Sequence, residues 1–195
     1  MAFIIHKNIY CMKTKKQFYF YLSFLLLLCS FSACDKNEMN VLPQESQSGK
    51  NTFGCMVYDK LFIGGGYYSY IGFSPLSAEY NKNYNRLTIS TVSKVYSDKA
   101  NGSIGLMLMN PIQDSIQKLS SGTYSSGSLS DCFQYLILNG GEIYLTKLDT
   151  IHKIVSGRFS FKGKCADHLN EFKVDGDSIK ITQGRFDIKL NITND

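Results

Sequence analysis

Strict alternation of apolar and polar residues is the feature that most constrains this fold. From Thr52 onward, short runs rich in Val, Ile, Thr, Tyr and Phe are separated by Gly, Asn, Asp and Ser. In residues 155–162 the two faces are cleanly divided, with Val155, Gly157, Phe159 and Phe161 on one and Ser156, Arg158, Ser160 and Lys162 on the other. This pattern predicts strands buried on one side only, and therefore an all-β fold.

Turn signals join these runs closely. Asn139-Gly140-Gly141, Asp149 to Lys153 and Asp175-Gly176 each separate two strand-like runs. Short links favour antiparallel neighbours, because parallel strands need long crossovers. We therefore predict one β-domain over residues 51–195, an antiparallel β-sandwich or flattened barrel that is mostly a meander. Only Pro111 to Leu119 has helical spacing, so we expect at most one short helix.

The last run changes phase in its middle. Ile179 and Ile181 share one parity, whereas Phe186 and the apolar residues after it share the other. One extra residue near Gln183-Gly184 would bring both sets to the same face, so we predict a β-bulge there, with Gly184 adopting the unusual backbone angles. A similar slip is predicted between Ile89 and Val92.

The first 33 residues carry the excess positive charge. Of 21 Lys and Arg, four precede Cys34, which leaves 17 against 16 Asp and Glu. A basic arm for nucleic acid is therefore excluded. Lys13, Lys15 and Lys16 precede an apolar run of about 12 residues, Phe18 to Cys29, which is shorter than the ~20 of a spanning helix. We interpret residues 1–33 as a signal peptide, whose translation could begin at Met12.

The signal ends in Phe31-Ser32-Ala33-Cys34, which resembles a bacterial lipobox. The resemblance implies that the Cys34 thiol carries diacylglycerol and its amine an acyl chain such as palmitate. Two or more chains give stable membrane attachment. Residues 34–50 are polar and are predicted to form a flexible tether.

Three cysteines follow Cys34. Cys55, Cys132 and Cys165 allow one internal bridge in an oxidising compartment. We predict a Cys55–Cys165 disulfide with Cys132 reduced, while pairing through Cys132 stays open.

The sequence contains no recognisable catalytic or metal-binding motif. No pair of cysteines has metal-ligand spacing, and we expect no cofactor and no metal. His168 lies near Cys165, but a loop histidine beside a bridged cysteine is the preferred interpretation. Arg185 and Asp187 fall on one strand face, where they form a solvent-side charge pair or grip a ligand. The aromatic residues proposed to stack on a ligand are Tyr67, Tyr68 and Tyr70.

Two further segments carry a family resemblance. Asn51-Thr52-Phe53-Gly54-Cys55-Met56-Val57 stands near the domain start and Ile179 to Asp187, containing Gly184-Arg185-Phe186-Asp187, near its end. Together they resemble an uncharacterised family of Bacteroidetes lipoproteins with an FGC-type first strand and a GRFD-type last strand. The resemblance implies a surface-facing β-domain and carries over no catalytic residue.

These observations lead to one functional expectation. We expect an outer-membrane lipoprotein, at the cell surface or facing the periplasm, whose domain is a non-catalytic binding or accessory module for a glycan or protein ligand. Two alternatives stay open: a structural subunit of a surface assembly, and an enzyme whose side chains converge only in the folded chain. A deep pocket with convergent acids or histidines would favour the enzyme. A long unpaired edge strand would favour the assembly.

Overall fold

The computed structural model describes residues 41–66, 74–94, 100–126, 132, 134–137, 140–166 and 178–194. Within these ranges the chain is all-β and forms no helix. Accordingly, no helix in this part of the chain is long and apolar enough to cross a membrane. The predicted fold class is confirmed.

Eleven strands make up the described part of the domain. They are β1 (Thr52–Val57), β2 (Lys60–Ile63), β3 (Leu76–Asn81), β4 (Arg86–Val92), β5 (Gly102–Met109), β6 (Ile116–Lys118), β7 (Ser121–Ser126), β8 (Gln134–Ile137), β9 (Glu142–Asp149), β10 (Ile154–Ala166) and β11 (Ser178–Thr193).

The strands form one hydrogen-bonded sheet in the order β2-β1-β11-β3-β4-β5-β7-β8-β10-β9-β6, with β10 also paired to β11. That extra pairing closes a circuit from β11 through β3, β4, β5, β7, β8 and β10, which gives the flattened barrel. Every ladder is antiparallel except β11–β3. The long strands β10 and β11 each hold two partners along one edge: β8 and β9 beside β10, and β1 and β3 beside β11.

The inward faces supply one apolar core. Its members from the long strands include Val155, Phe159 and Phe161 of β10 and Phe186 and Ile188 of β11, all at most 4% exposed. Phe159 packs on Phe53 and Phe186 at ring-centroid distances of 5.1 and 6.3 Å. The alternation read in residues 155–162 is confirmed, except that Ser156 is also buried on the outer side.

The predicted bulge in the last strand is present. Against both β1 and β10, β11 contains one extra residue near Gln183-Gly184, and Ile179, Ile181, Phe186 and Ile188 all face the core. The prediction for the backbone is wrong in one detail, because Gln183 carries the positive φ of 53°. Glycine is needed at 184 for space: an added Cβ would lie 2.4 Å from the Phe159 ring.

One local prediction is wrong. No slip occurs between Ile89 and Val92, since β4 pairs with β5 in unbroken register and Thr91, not Val92, fills the inward position. Thr91 is tolerated there because its hydroxyl donates to the Pro75 carbonyl at 3.1 Å.

Residues 111–119 form no helix despite their helical spacing, in agreement with the prediction of at most one short helix. This segment contains β6, and Asp114 has a left-handed φ of 57°. Ile112 and Ile116 are exposed, so the apolar residues spaced for one helix face are not buried together.

Candidate functional site

Residues 41–50 lie against the outer face of β10 and β11. They form no regular element, yet Pro43 and Gly49 are buried. Pro43 packs over Gly54 of β1, where an added Cβ would lie 2.5 Å from the proline ring. The prediction of a free tether over residues 34–50 therefore fails for residues 41–50, which we call the N-terminal strap.

Asp187 of β11 holds the strap in place. Its Oδ1 accepts hydrogen bonds from the Gly49 backbone amide at 2.8 Å and from the Ser156 hydroxyl at 2.7 Å. Its Oδ2 accepts hydrogen bonds from the backbone amides of Ser48 and Lys50, at 3.2 and 3.1 Å, and from the Ser46 hydroxyl. Gly49 has a left-handed φ of 69°, and such a residue turns successive N–H groups toward one anion.

This environment determines the charge of Asp187. Burial by itself raises the pKa of the carboxyl, but the hydrogen bonds from Ser46, Ser156, Lys50 and Gly49 outweigh burial and lower the pKa to about 2. The carboxylate is thus ionised at neutral pH although the residue is only 1% exposed. Ser156 is buried on the outer side of β10 because it is one of these donors.

Neither interpretation of the Arg185–Asp187 pair survives. Asp187 is not on the solvent side, and its two oxygens bind the protein's own strap. Sequence reasoning missed this contact because it joins residues about 140 positions apart. The sole local signal is Gly49 followed by Asn51, two residue types that readily adopt positive φ, as both do here.

Arg185 belongs to a row of side chains that crosses five strands. Register pairs Ile116 of β6 with Tyr144, Tyr144 with Arg158, Arg158 with Arg185, and Arg185 with Gly54. Residues paired in this way project to one face with Cβ atoms about 5 Å apart. The outer face therefore presents two arginines side by side with a tyrosine beside them.

Glu45 of the strap lies between the two arginines. Its Oε2 is 2.5 Å from Arg158 Nη2 and its Oε1 is 3.8 Å from Arg185 Nε. Like charges directly opposite on neighbouring strands repel each other, so an anion between the two arginines is favourable. Glu45 supplies that anion from the segment that Asp187 fixes.

An open groove runs beside this ion pair. Its volume is about 360 Å³, within the range of small-molecule sites. The wall is formed by the strap, β6, β9, β10 and the bulge of β11; its lining residues are Glu45, Ile116, Glu142, Ile143, Tyr144, Arg158, Phe159, Ser160, Gln183, Gly184 and Arg185.

The cysteine pairing differs from the prediction. Cys132 and Cys165 form the disulfide, with Cα atoms 5.7 Å apart, and Cys55 is free and buried. The reason is topological: Cys165 ends β10 opposite Tyr135 of β8, close to Cys132, whereas β11 separates β1 from β10. Burial raises the pKa of the Cys55 thiol, which keeps it protonated and unreactive.

Several candidate residues lie outside the described part of the chain. These are Cys34, Tyr67, Tyr68, Tyr70, His168 and the Asp175-Gly176 turn. His152 is described; it lies in the β9–β10 turn with Nδ1 2.8 Å from Asp149 Oδ2. Within the described ranges, no group of three or more His, Cys, Asp or Glu side chains is placed to hold a metal ion.

Comparisons with protein-family models, with curated proteins and with solved structures found no match to this chain. The family resemblance described above therefore stays a prediction.

Proposed function

We propose that this protein is an outer-membrane lipoprotein, anchored through acyl chains on Cys34 and exposed at the cell surface, whose β-domain is a non-catalytic binding module. The anchor is supported by the basic, apolar and small-residue order of residues 12–34. The resemblance to Bacteroidetes lipoproteins supports the same placement.

The groove beside Arg158 and Arg185 is the observation that carries the binding part of the proposal. It combines a volume of about 360 Å³ with arginine, tyrosine and hydroxyl groups on a sheet face. Sites built on strands hold their side chains in fixed positions, which favours recognition of one ligand shape. A glycan or protein ligand bound here would lie on the outer surface of the domain.

A binding module accounts for the titratable groups better than an enzyme does. Asp187, whose pKa is lowered to about 2, uses both oxygens to bind the strap. Asp149 also has a lowered pKa, from its hydrogen bonds to His152, but it ends β9 and binds the exposed turn that follows. Neither acid lines the groove.

Assembly through an open sheet edge has less support. The described sheet ends at β2 and β6, which have four and three residues. The outward-facing carbonyls of Leu61 and Ile63 in β2 accept hydrogen bonds from the backbone amides of Ala100 and Lys94. Short or covered edges of this kind disfavour pairing with another chain.

Two measurements test the proposal. Intact-mass analysis of the full chain from its native membrane should show a mature N-terminus at Cys34 with acyl chains attached, and Cys34→Ser should abolish acylation. Glycan-array and protein-ligand screening of the full chain should give binding that Tyr144→Ala weakens. An unacylated Cys34 would contradict the anchor, and a blank on both screens would contradict the binding module.

A further inference from the structure

We propose that the arginine pair binds the carboxylate of a uronic-acid residue in a polysaccharide, and that Glu45 is an internal competitor that occupies this subsite when no ligand is bound. The inference rests on the proposed binding function and assigns its ligand class. It follows from the geometry of Glu45, the strength of its contacts and the lining of the groove.

Glu45 shows which chemical group the subsite accepts. One carboxylate oxygen contacts Arg158 at 2.5 Å and the other lies 3.8 Å from Arg185. Arginine binds carboxylates through parallel N–H donors, and two adjacent guanidinium groups favour one shared anion. A ligand carboxylate can take the same position once Glu45 rotates away.

The contact made by Glu45 is weak enough to be replaced. The Glu45 and Arg158 side chains are 42% and 60% exposed, and ion pairs in water contribute little stability. The strap itself stays in place, because four hydrogen bonds join it to Asp187 without using Glu45. Displacing Glu45 therefore requires a side-chain rotation and leaves the strap docked.

The remaining lining suits a sugar. Tyr144, the register partner of Arg158 on β9, offers an aromatic ring, and Glu142 and Ser160 are register partners on the same face. Carboxylate, hydroxyl and amide groups hydrogen-bond to sugar hydroxyls, and Gln183 adds an amide at the bulge. An acidic peptide fits less well, because its side chains offer no ring hydroxyls to Glu142, Ser160 and Gln183.

Calorimetric titration of the full chain with oligogalacturonate tests this inference, with neutral oligogalactose and polyglutamate as parallel probes. Removing the competitor with Glu45→Gln should tighten oligogalacturonate binding about fivefold, because a larger fraction of molecules then has a free subsite. Asp59→Asn, which changes the net charge equally at an exposed turn, should leave affinity unchanged.

Arg158→Ala should weaken the same binding at least about tenfold. Lys162→Ala, which removes an exposed cation from the same strand face outside the groove, is the matched control. Arg158→Gln provides a second variant, and thermal melting checks that each variant is folded.

Four results would overturn the inference. In the first, Glu45→Gln binds oligogalacturonate no more tightly than Asp59→Asn does. In the second, polyglutamate binds as well as oligogalacturonate, which would make the ligand an acidic peptide. In the third, neutral oligosaccharides alone bind, which would preserve the binding module and remove its acidic ligand. Absence of binding to all three probes, with ligands found elsewhere on a screen, would also reject the inference and leave the proposed function intact.

Discussion

Asp187 shows how one residue can connect distant parts of a chain. It joins β11, β10 and the N-terminal strap through an ionised carboxylate that is almost completely buried. The alternation of β11 correctly placed Asp187 on the outer face, opposite Phe186 and Ile188. Its burial could not be predicted, because strap residues with no apolar pattern cover it.

Replacing Asp187 with Asn should destabilise the domain by about 3 kcal/mol. The amide nitrogen of Asn would face donors that now point at a carboxylate oxygen, so buried N–H groups would lose their acceptor. Urea unfolding of Asp187→Asn and the parent measures this difference. Asp59→Asn at the exposed turn serves as the control, and equal stability of the two Asn variants would contradict the role of Asp187.

The same contact predicts a specific response to pH. Because the pKa of Asp187 is lowered from 3.8 to about 2 on folding, its ionisation stabilises the folded state above pH ~4 and this contribution is lost as the pH falls toward 2. The shift corresponds to about 2 kcal/mol. The stability difference between parent and Asp187→Asn should shrink by that amount between pH 5 and pH 2. A difference that stays constant would show that the charge contributes nothing.

Among the elements, β10 and β11 organise the sheet, and their sequences were informative to different degrees. The phase change in β11 predicted the bulge, since two buried sets of opposite parity allow no regular strand. The identity of the left-handed residue could not be predicted, because glycine at 184 is required by the Phe159 ring and not by φ. In β4 the predicted slip is absent, because the polar residue Thr91 occupies the core position that the prediction gave to Val92.

Gly184→Ala should lower stability by roughly 1–3 kcal/mol through overpacking against the Phe159 ring. The smaller side chain in Phe159→Leu should reduce this cost, so a double-mutant cycle by thermal unfolding should give a favourable coupling between the two sites. Strict additivity would show that the ring is not the cause.

The disulfide between Cys132 and Cys165 should stabilise the domain by roughly 3–4 kcal/mol, given its separation of 33 residues. The double variant Cys132→Ser, Cys165→Ser should lose this amount and become insensitive to reductant. Cys55→Ala should retain the response to reductant. Peptide mapping without reduction should recover the Cys132–Cys165 cross-link, and a cross-link to Cys55 would contradict the pairing.

At the scale of the whole molecule, local patterns predicted the class of fold and long-range contacts decided the site. Alternation and short turns are properties of neighbouring residues, and they correctly gave an all-β, mostly antiparallel sheet. The parallel β11–β3 ladder, the Cys132–Cys165 bridge and the strap on Asp187 depend on pairing between distant segments. The arginine row became visible only when the registers of β9, β10 and β11 were known.

The most direct test of the binding groove is an NMR titration of the full chain with oligogalacturonate, following the guanidinium Nε resonances of Arg158 and Arg185 and the ring of Tyr144. We expect these signals to shift together and saturate, and to do so at lower ligand concentration in Glu45→Gln. Saturable binding that leaves all three residues unchanged would place the ligand elsewhere and contradict the account.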